Sequence, residues 1–143
     1  VYPDVSLKEA RKRRDEARQL VAEGTDPTVL RKTARQARKV AALPLAGRVR
    51  HAYLTNHYGR HRAKPNPHVF ELICRREQVP SSQVIYVGDN PRKDFVGIKP
   101  LGFRSVRILR GNYAHLAVDA AHEAHRCIHS LDELTEEFIA ELL

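Results

Sequence analysis

Asp89 and Asp94 stand five positions apart in the loop Gly88-Asp89-Asn90-Pro91-Arg92-Lys93-Asp94. The loop follows Val84-Ile85-Tyr86-Val87, an apolar run rich in β-branched residues. Such a run stopping abruptly in Gly-Asp-Asn-Pro reads as a buried strand feeding a tight loop. In an open α/β sheet, ligands bind at the carboxyl ends of the strands, where these two carboxylates sit. A hard cation such as Mg²⁺ takes a few carboxylate oxygens together with water and phosphate oxygens, and this loop can offer one or two of them. Two histidine pairs, His57 with His61 and His122 with His125, have spacings suited to a transition metal. Neither has a clear third ligand, so they read as surface or loop histidines.

The segment Gly88–Asp94 resembles the fourth motif of the haloacid dehalogenase (HAD) superfamily, mostly Mg²⁺-dependent phosphohydrolases. Upstream, Lys64-Pro65-Asn66-Pro67-His68-Val69-Phe70 resembles that family's third motif, which opens a helix. Downstream, Gly102-Phe103-Arg104-Ser105-Val106-Arg107-Ile108 resembles the following helix end and strand. The resemblance covers about residues 48–138. It implies an α/β fold, a truncated HAD-like (Rossmannoid) parallel sheet with flanking helices. It makes Lys64 the lysine that holds phosphate and orients the nucleophile, Asp89 a Mg²⁺ ligand, and Asp94 a second ligand or support. Gly88 and Asn90 fall in the phosphate loop. The plainer readings are a solvated loop lysine at Lys64 and a helix N-cap at Asp89, with Pro91 in the first turn.

The departure from the family pattern is large. HAD phosphohydrolases form an aspartyl-phosphate on the first Asp of an Asp-x-Asp motif, and the second Asp serves as acid/base. None of the seven aspartates in this sequence has another two positions on. The expectation is therefore a HAD-like fragment that is inactive alone. In the family the sheet order is 3-2-1-4-5, so the missing strands belong between those expected at Val49–Leu54 and Val84–Val87. A second copy or another protein supplying strands would close that gap, as would direct pairing of the two strands.

The elements that must position these groups follow from pattern. Val49, His51 and Tyr53 alternate with Arg50, Ala52 and Leu54, which predicts a strand. Pro67–Glu77 is predicted helical, Gln83–Val87 a strand, Lys93–Leu101 a helix shortened by Pro100, and Phe103–Leu109 a strand. An edge strand over His125–His129 and a terminal helix over Leu131–Leu143 complete the reading. Ahead of them lie two helices. Ser6-Leu7-Lys8-Glu9 is a capping-box pattern, and Asp26-Pro27 is an N-cap followed by Pro at the first helical position. Residues 1–43 are thus a basic helical segment, 44–47 a junction and 48–143 the α/β part, with Val1–Asp4 a terminal stub.

The charge is uneven. Of the net +8, residues 1–50 hold thirteen Lys/Arg against six Asp/Glu (+7), and residues 51–143 twelve against eleven (+1). Tyr2 to Arg18 and Gly24-Thr25-Asp26-Pro27 resemble the arm-binding amino-terminal domain of phage-type tyrosine recombinases (integrases), over about residues 1–40. The resemblance takes in neither that domain's small sheet nor the recombinase catalytic domain, so integrase activity is not expected. Arg11, Arg13, Arg14 and Arg18, with Arg31, Arg35 and Arg38, are candidates for non-specific contact with nucleic-acid phosphates; two solvated basic helices are the plainer reading. Hydrophobic content of 42% with 6% aromatic permits a modest core. Cys74 and Cys127, inside apolar runs, are expected as buried, reduced thiols of a cytoplasmic protein. No membrane span is expected. The absence of Met is expected to mean a trimmed chain, or a start codon read as Val1.

Overall fold

The computed structural model describes residues 5–45 and 47–143; the expected stub Val1–Asp4 and Ala46 of the junction lie outside them. The chain divides into two compact units, residues 1–60 and 61–143.

In the first unit, α1 (Leu7–Ala22) and α2 (Pro27–Ala41) start where their caps place them. The Ser6 hydroxyl accepts from the Glu9 N–H at 3.2 Å, and the Asp26 carboxylate from the Thr28 N–H at 2.7 Å. Only half of the capping box forms, because the Glu9 carboxylate turns instead to Arg13 Nε at 2.9 Å. The strand expected over Val49–Leu54 does not form: these residues are irregular, and short 3₁₀ turns follow at Thr55–Tyr58 and Arg60–Arg62. An alternating pattern makes a strand only when a neighbouring strand takes its backbone hydrogen bonds, and among the described residues no strand is paired with it.

In the second unit, α3 (His68–Glu77) leads to β1 (Ile85–Gly88), α4 (Pro91–Asp94), β2 (Arg104–Ile108), β3 (Arg126–Ile128) and α5 (Glu136–Leu142). The sheet is parallel in the order β1-β2-β3, with Val87 opposite Val106 and Ile108 opposite Ile128. Each parallel neighbour needs a crossover, and the turns around α4 and the long loop after β2 provide them. The expected helix over Lys93–Leu101 is instead one turn of α-helix, a series of tight turns, and a 3₁₀ turn at Lys99–Leu101. Pro100 cannot donate within a helix, and Gly97 lies against another segment's backbone. The terminal helix likewise opens as a 3₁₀ turn at Leu131–Glu133 before α5 begins.

Phe70, Ile98 and Phe103 form the core, packed by Cys74, Val84, Tyr86 and Leu101. The Phe70 ring stands edge-on to Tyr86 and Phe103, at centroid distances of 4.8 and 5.8 Å. Phe95, Val106 and Ile128 are fully buried, and each such side chain contributes about 1.5–3 kcal/mol by leaving water. Cys74 is half-buried, but Cys127 is exposed on the edge strand rather than buried. Among the described residues, no helix is long and apolar enough to cross a membrane.

Candidate functional site

The site is built at the carboxyl end of β1. Tyr86 sits within the strand, Gly88 ends it, and Asp89 projects beyond it as an exposed residue. Asn90, not Asp89, caps α4: its side-chain oxygen accepts from the Arg92 N–H at 3.2 Å. The Asn90 backbone N–H donates to Asp94 Oδ2 at 2.9 Å, closing the loop on itself. Gly88 makes that closure possible. A Cβ at this position would stand 2.8 Å from Asp94 Oδ2 and 3.1 Å from Asp94 Cβ, so a side chain there would push the Asp94 carboxylate from its seat.

Lys64 enters from the segment ahead of α3, where its peptide bond to Pro65 is cis. Its Nζ donates to Asp94 Oδ1 at 2.7 Å and to the Tyr86 hydroxyl at 2.8 Å. Lys64 is therefore no solvated loop lysine. The Asp94 side chain is 2% exposed, and both its oxygens are engaged, one by Lys64 and one by Asn90. Burial alone would pull the Lys64 ammonium down from its usual range. The Tyr86 phenol and the Asp94 carboxylate outweigh that and hold it up. Burial also pushes the Tyr86 phenol up, and Lys64 opposes the shift only in part.

Gly97 fixes where Lys64 can stand. A Cβ on it would fall 1.7 Å from the Pro65 carbonyl oxygen, so the Lys64–Pro65 backbone rests directly on the Gly97 main chain. Neither Tyr86 nor Gly97 stands out as a site residue in the sequence pattern. The available signals are a polar-tipped ring inside a buried run, whose hydroxyl needs a partner, and a glycine within a helical pattern.

Of the sequence-predicted residues, the structure brings together Lys64, Gly88, Asn90 and Asp94, with Asp89 at the mouth of the same loop. The predicted basic residues lie in the other unit. Arg11, Arg13, Arg14 and Arg18 are exposed on α1, and Arg31, Arg35 and Arg38 on α2. The histidine pairs gather no ligand set: His122 Nδ1 meets Asp119 Oδ1 at 2.8 Å, while His125 Nδ1 meets the Ser105 N–H and hydroxyl at 3.1 and 2.8 Å. Among the described residues, no group of three or more His, Cys, Asp or Glu side chains could hold a metal.

A buried guanidinium ties the sheet to the loop that follows β2. Arg107 of β2 pairs with Glu123 and donates to the carbonyls of Tyr113 and Leu116 at 2.6 and 2.8 Å, tying the loop after β2 to the strand.

The family model for HAD-hydrolase-like proteins matches residues 61–134, which include Lys64, the Gly88–Asp94 loop and all three strands. The chain belongs to the HAD-hydrolase-like family. Three curated relatives agree. A haloacid dehalogenase-like hydrolase domain-containing protein 3 from Danio rerio is 38% identical over 74 residues, 50% of this chain and 29% of its own. A glyceraldehyde 3-phosphate phosphatase from Methanopyrus kandleri is 44% identical over 50 residues, 35% of this chain and 22% of its own. Another, from Methanocaldococcus jannaschii, is 34% identical over 73 residues, 51% of this chain and 31% of its own. The chain thus spans less than a third of the length of each. A second family model, the arm DNA-binding domain, matches residues 1–34. No solved structure matches the chain.

Proposed function

We propose that residues 61–143 carry the phosphoryl-binding half of a HAD-type phosphohydrolase site that requires the rest of the site from outside these 143 residues. The observation that carries this reading is the Lys64 ammonium, held 2.7 Å from buried Asp94, whose loop also carries the exposed Asp89. A lysine fixed by a buried anion presents its remaining donor in one direction, as a phosphoryl oxygen requires. Asp94 acts as the support for Lys64 in this arrangement, since both of its oxygens are occupied. Asp89 is left as the carboxylate for a cation. One carboxylate with water and phosphate oxygens fits the way Mg²⁺ is commonly held, and bound Mg²⁺ neutralises phosphate charge. Asn90 and Gly88 hold the loop in place.

With no Asp-x-Asp among these 143 residues, the nucleophile and the general acid must come from outside them. Among the described residues β1 has a strand neighbour on one side only, which supports a partner strand on the other. A second copy of this chain could add a strand there but brings no Asp-x-Asp motif. A partner bearing that motif restores both sheet and chemistry.

The test is turnover of p-nitrophenyl phosphate with Mg²⁺. The chain alone should give none, and mixing with a chain that carries the Asp-x-Asp half should give turnover that Asp89→Asn abolishes. Turnover by the chain alone, lost on Asp89→Asn, would overturn the reading.

A second reading is favoured by the arm DNA-binding match over residues 1–34: the amino-terminal helices bind nucleic acid without sequence preference. Titrating a duplex at two salt concentrations tests it, and no binding even at low salt would exclude it.

A further inference from the structure

The five cations of α2, Arg31, Lys32, Arg35, Arg38 and Lys39, occupy one face of the helix. At 3.6 residues per turn they fall within an arc of about 120°. All five are exposed, and α2 contains no Asp or Glu. The opposite face carries Val29, Thr33, Ala37 and Val40, each half-buried within its own unit. α1 differs in this respect. Its Arg13 pairs with Glu9 at 2.9 Å, Arg14 with Asp15 at 2.8 Å, and Lys12 approaches Glu16 at 3.9 Å. Among the described residues, none of the five α2 cations is in an ion pair.

We propose that α2, through this unpaired basic face, is the element that contacts the phosphodiester backbone of duplex DNA. The proposal rests on the second reading above and goes beyond it, because the arm DNA-binding match ends at residue 34 and leaves Arg35, Arg38 and Lys39 outside. Cations already held by neighbouring carboxylates gain less from a phosphate than free ones, and five free cations on one face of α2 against Lys8, Arg11 and Arg18 on α1 favour α2. From Arg31 to Lys39 the helix rises about 12 Å, over which a duplex presents roughly seven phosphates and a single strand about half as many. Five charges in that length therefore match a duplex. An anionic bilayer fits less well, because an interfacial helix must also bury an apolar face. In α2 that face is covered by its own unit, with only Leu30, 45% exposed, as a large apolar side chain in solvent. Lys32, Arg35, Gln36 and Lys39 line one groove, so three of the cations converge on a single track.

The experiment uses the full chain and a random-sequence duplex of about 20 base pairs, with affinity followed against salt concentration. Five phosphate contacts give a slope of log K against log salt near −4.5, by about 0.9 per contact. The variant Arg31→Gln/Arg35→Gln/Lys39→Gln should flatten it to about −1.8, the value for two contacts. The corresponding α1 variant, Arg11→Gln/Arg14→Gln/Arg18→Gln, should change the slope by less than about 1, that is by no more than one contact. Replacing Arg31 and Arg35 by Lys should retain the wild-type slope, since the charge alone is at work. If the duplex binds but the α1 variant flattens the slope as much as the α2 variant, the assignment to α2 falls while nucleic-acid binding stands. If wild type binds no duplex at low salt, both fall. Binding to vesicles containing phosphatidylserine with no binding to duplex would also overturn the proposal.

Discussion

Lys64→Met should destabilise the α/β unit more than Asp94→Asn, although each removes the same ion pair. The asymmetry comes from burial: the Lys64 side chain is 24% exposed and that of Asp94 only 2%. Without Lys64, the Asp94 carboxylate keeps the Asn90 N–H at 2.9 Å but has no cation and no route to water. A buried charge stranded in this way costs on the order of 3–5 kcal/mol. Without the Asp94 charge, Lys64 keeps the Tyr86 hydroxyl at 2.8 Å and can turn toward solvent. That loss is closer to about 1–3 kcal/mol. A unit of the size of residues 61–143 has a total stability of roughly 4–12 kcal/mol, so the first loss is a large fraction of it. A difference of about 2 kcal/mol between the variants corresponds to roughly 10 °C in melting temperature for a domain of this size. Urea denaturation and thermal melting of the full chain at pH 7 measure both. Equal costs, or a cost below about 1 kcal/mol for Lys64→Met, would refute the claim that Asp94 is a buried anion held by Lys64.

Alkaline pH probes the same cluster. The Lys64 and Tyr86 pKa values both lie above their ordinary ones, so their contribution to stability is complete below the unfolded values, near 10, and is lost as pH rises through the folded values. In a pH series of urea midpoints, Tyr86→Phe should flatten that alkaline decline, because it removes one titrating group and the largest influence holding the Lys64 ammonium up. Gly97→Ala should cost about 1–3 kcal/mol or more by forcing the Pro65 carbonyl aside, and should weaken protection of Tyr86 and Asn90 amides in hydrogen exchange. An unchanged melting temperature would mean that the Pro65 backbone does not rest there. Arg107→Met should release the carbonyls of Tyr113 and Leu116 and raise amide exchange through residues 111–124, while β1 stays protected. Burial, then the charges of Lys99 and Arg104, hold the His125 imidazole below its usual range. The stability it contributes is therefore present above about pH 6.5 and falls as pH drops. Nitrogen NMR should find Nδ1 unprotonated, because it accepts from the Ser105 N–H; a protonated Nδ1 at neutral pH would contradict that bond.

Much of the arrangement is legible in the residues themselves. Ser6 and Asp26 start the two amino-terminal helices because their side-chain oxygens are the right length to reach the first free backbone N–H groups, a local matter. The apolar run before Gly88 makes β1, and the family motifs bring Lys64, Asp89 and Asp94 into view. Sequence also shows that no Asp-x-Asp pattern is present among these 143 residues. Other features were settled by contacts between residues far apart in the chain. Val49–Leu54 has the alternation of a strand, yet among the described residues no strand pairs with it, and the Val49 N–H turns to the Leu45 carbonyl instead. The cap of α4 is the exception, settled within the loop: Asn90 rather than Asp89 takes it, with the Asn90 N–H turned in to Asp94 four residues on. The partnership of Lys64 with Tyr86 and Asp94 spans 22 and 30 residues, and no local pattern encodes such a reach. The seat of Pro65 on Gly97 is of the same kind. Capping and periodicity act within a turn or two of chain, whereas a buried charge needs its counterion wherever the fold can supply one, and only packing decides where that is.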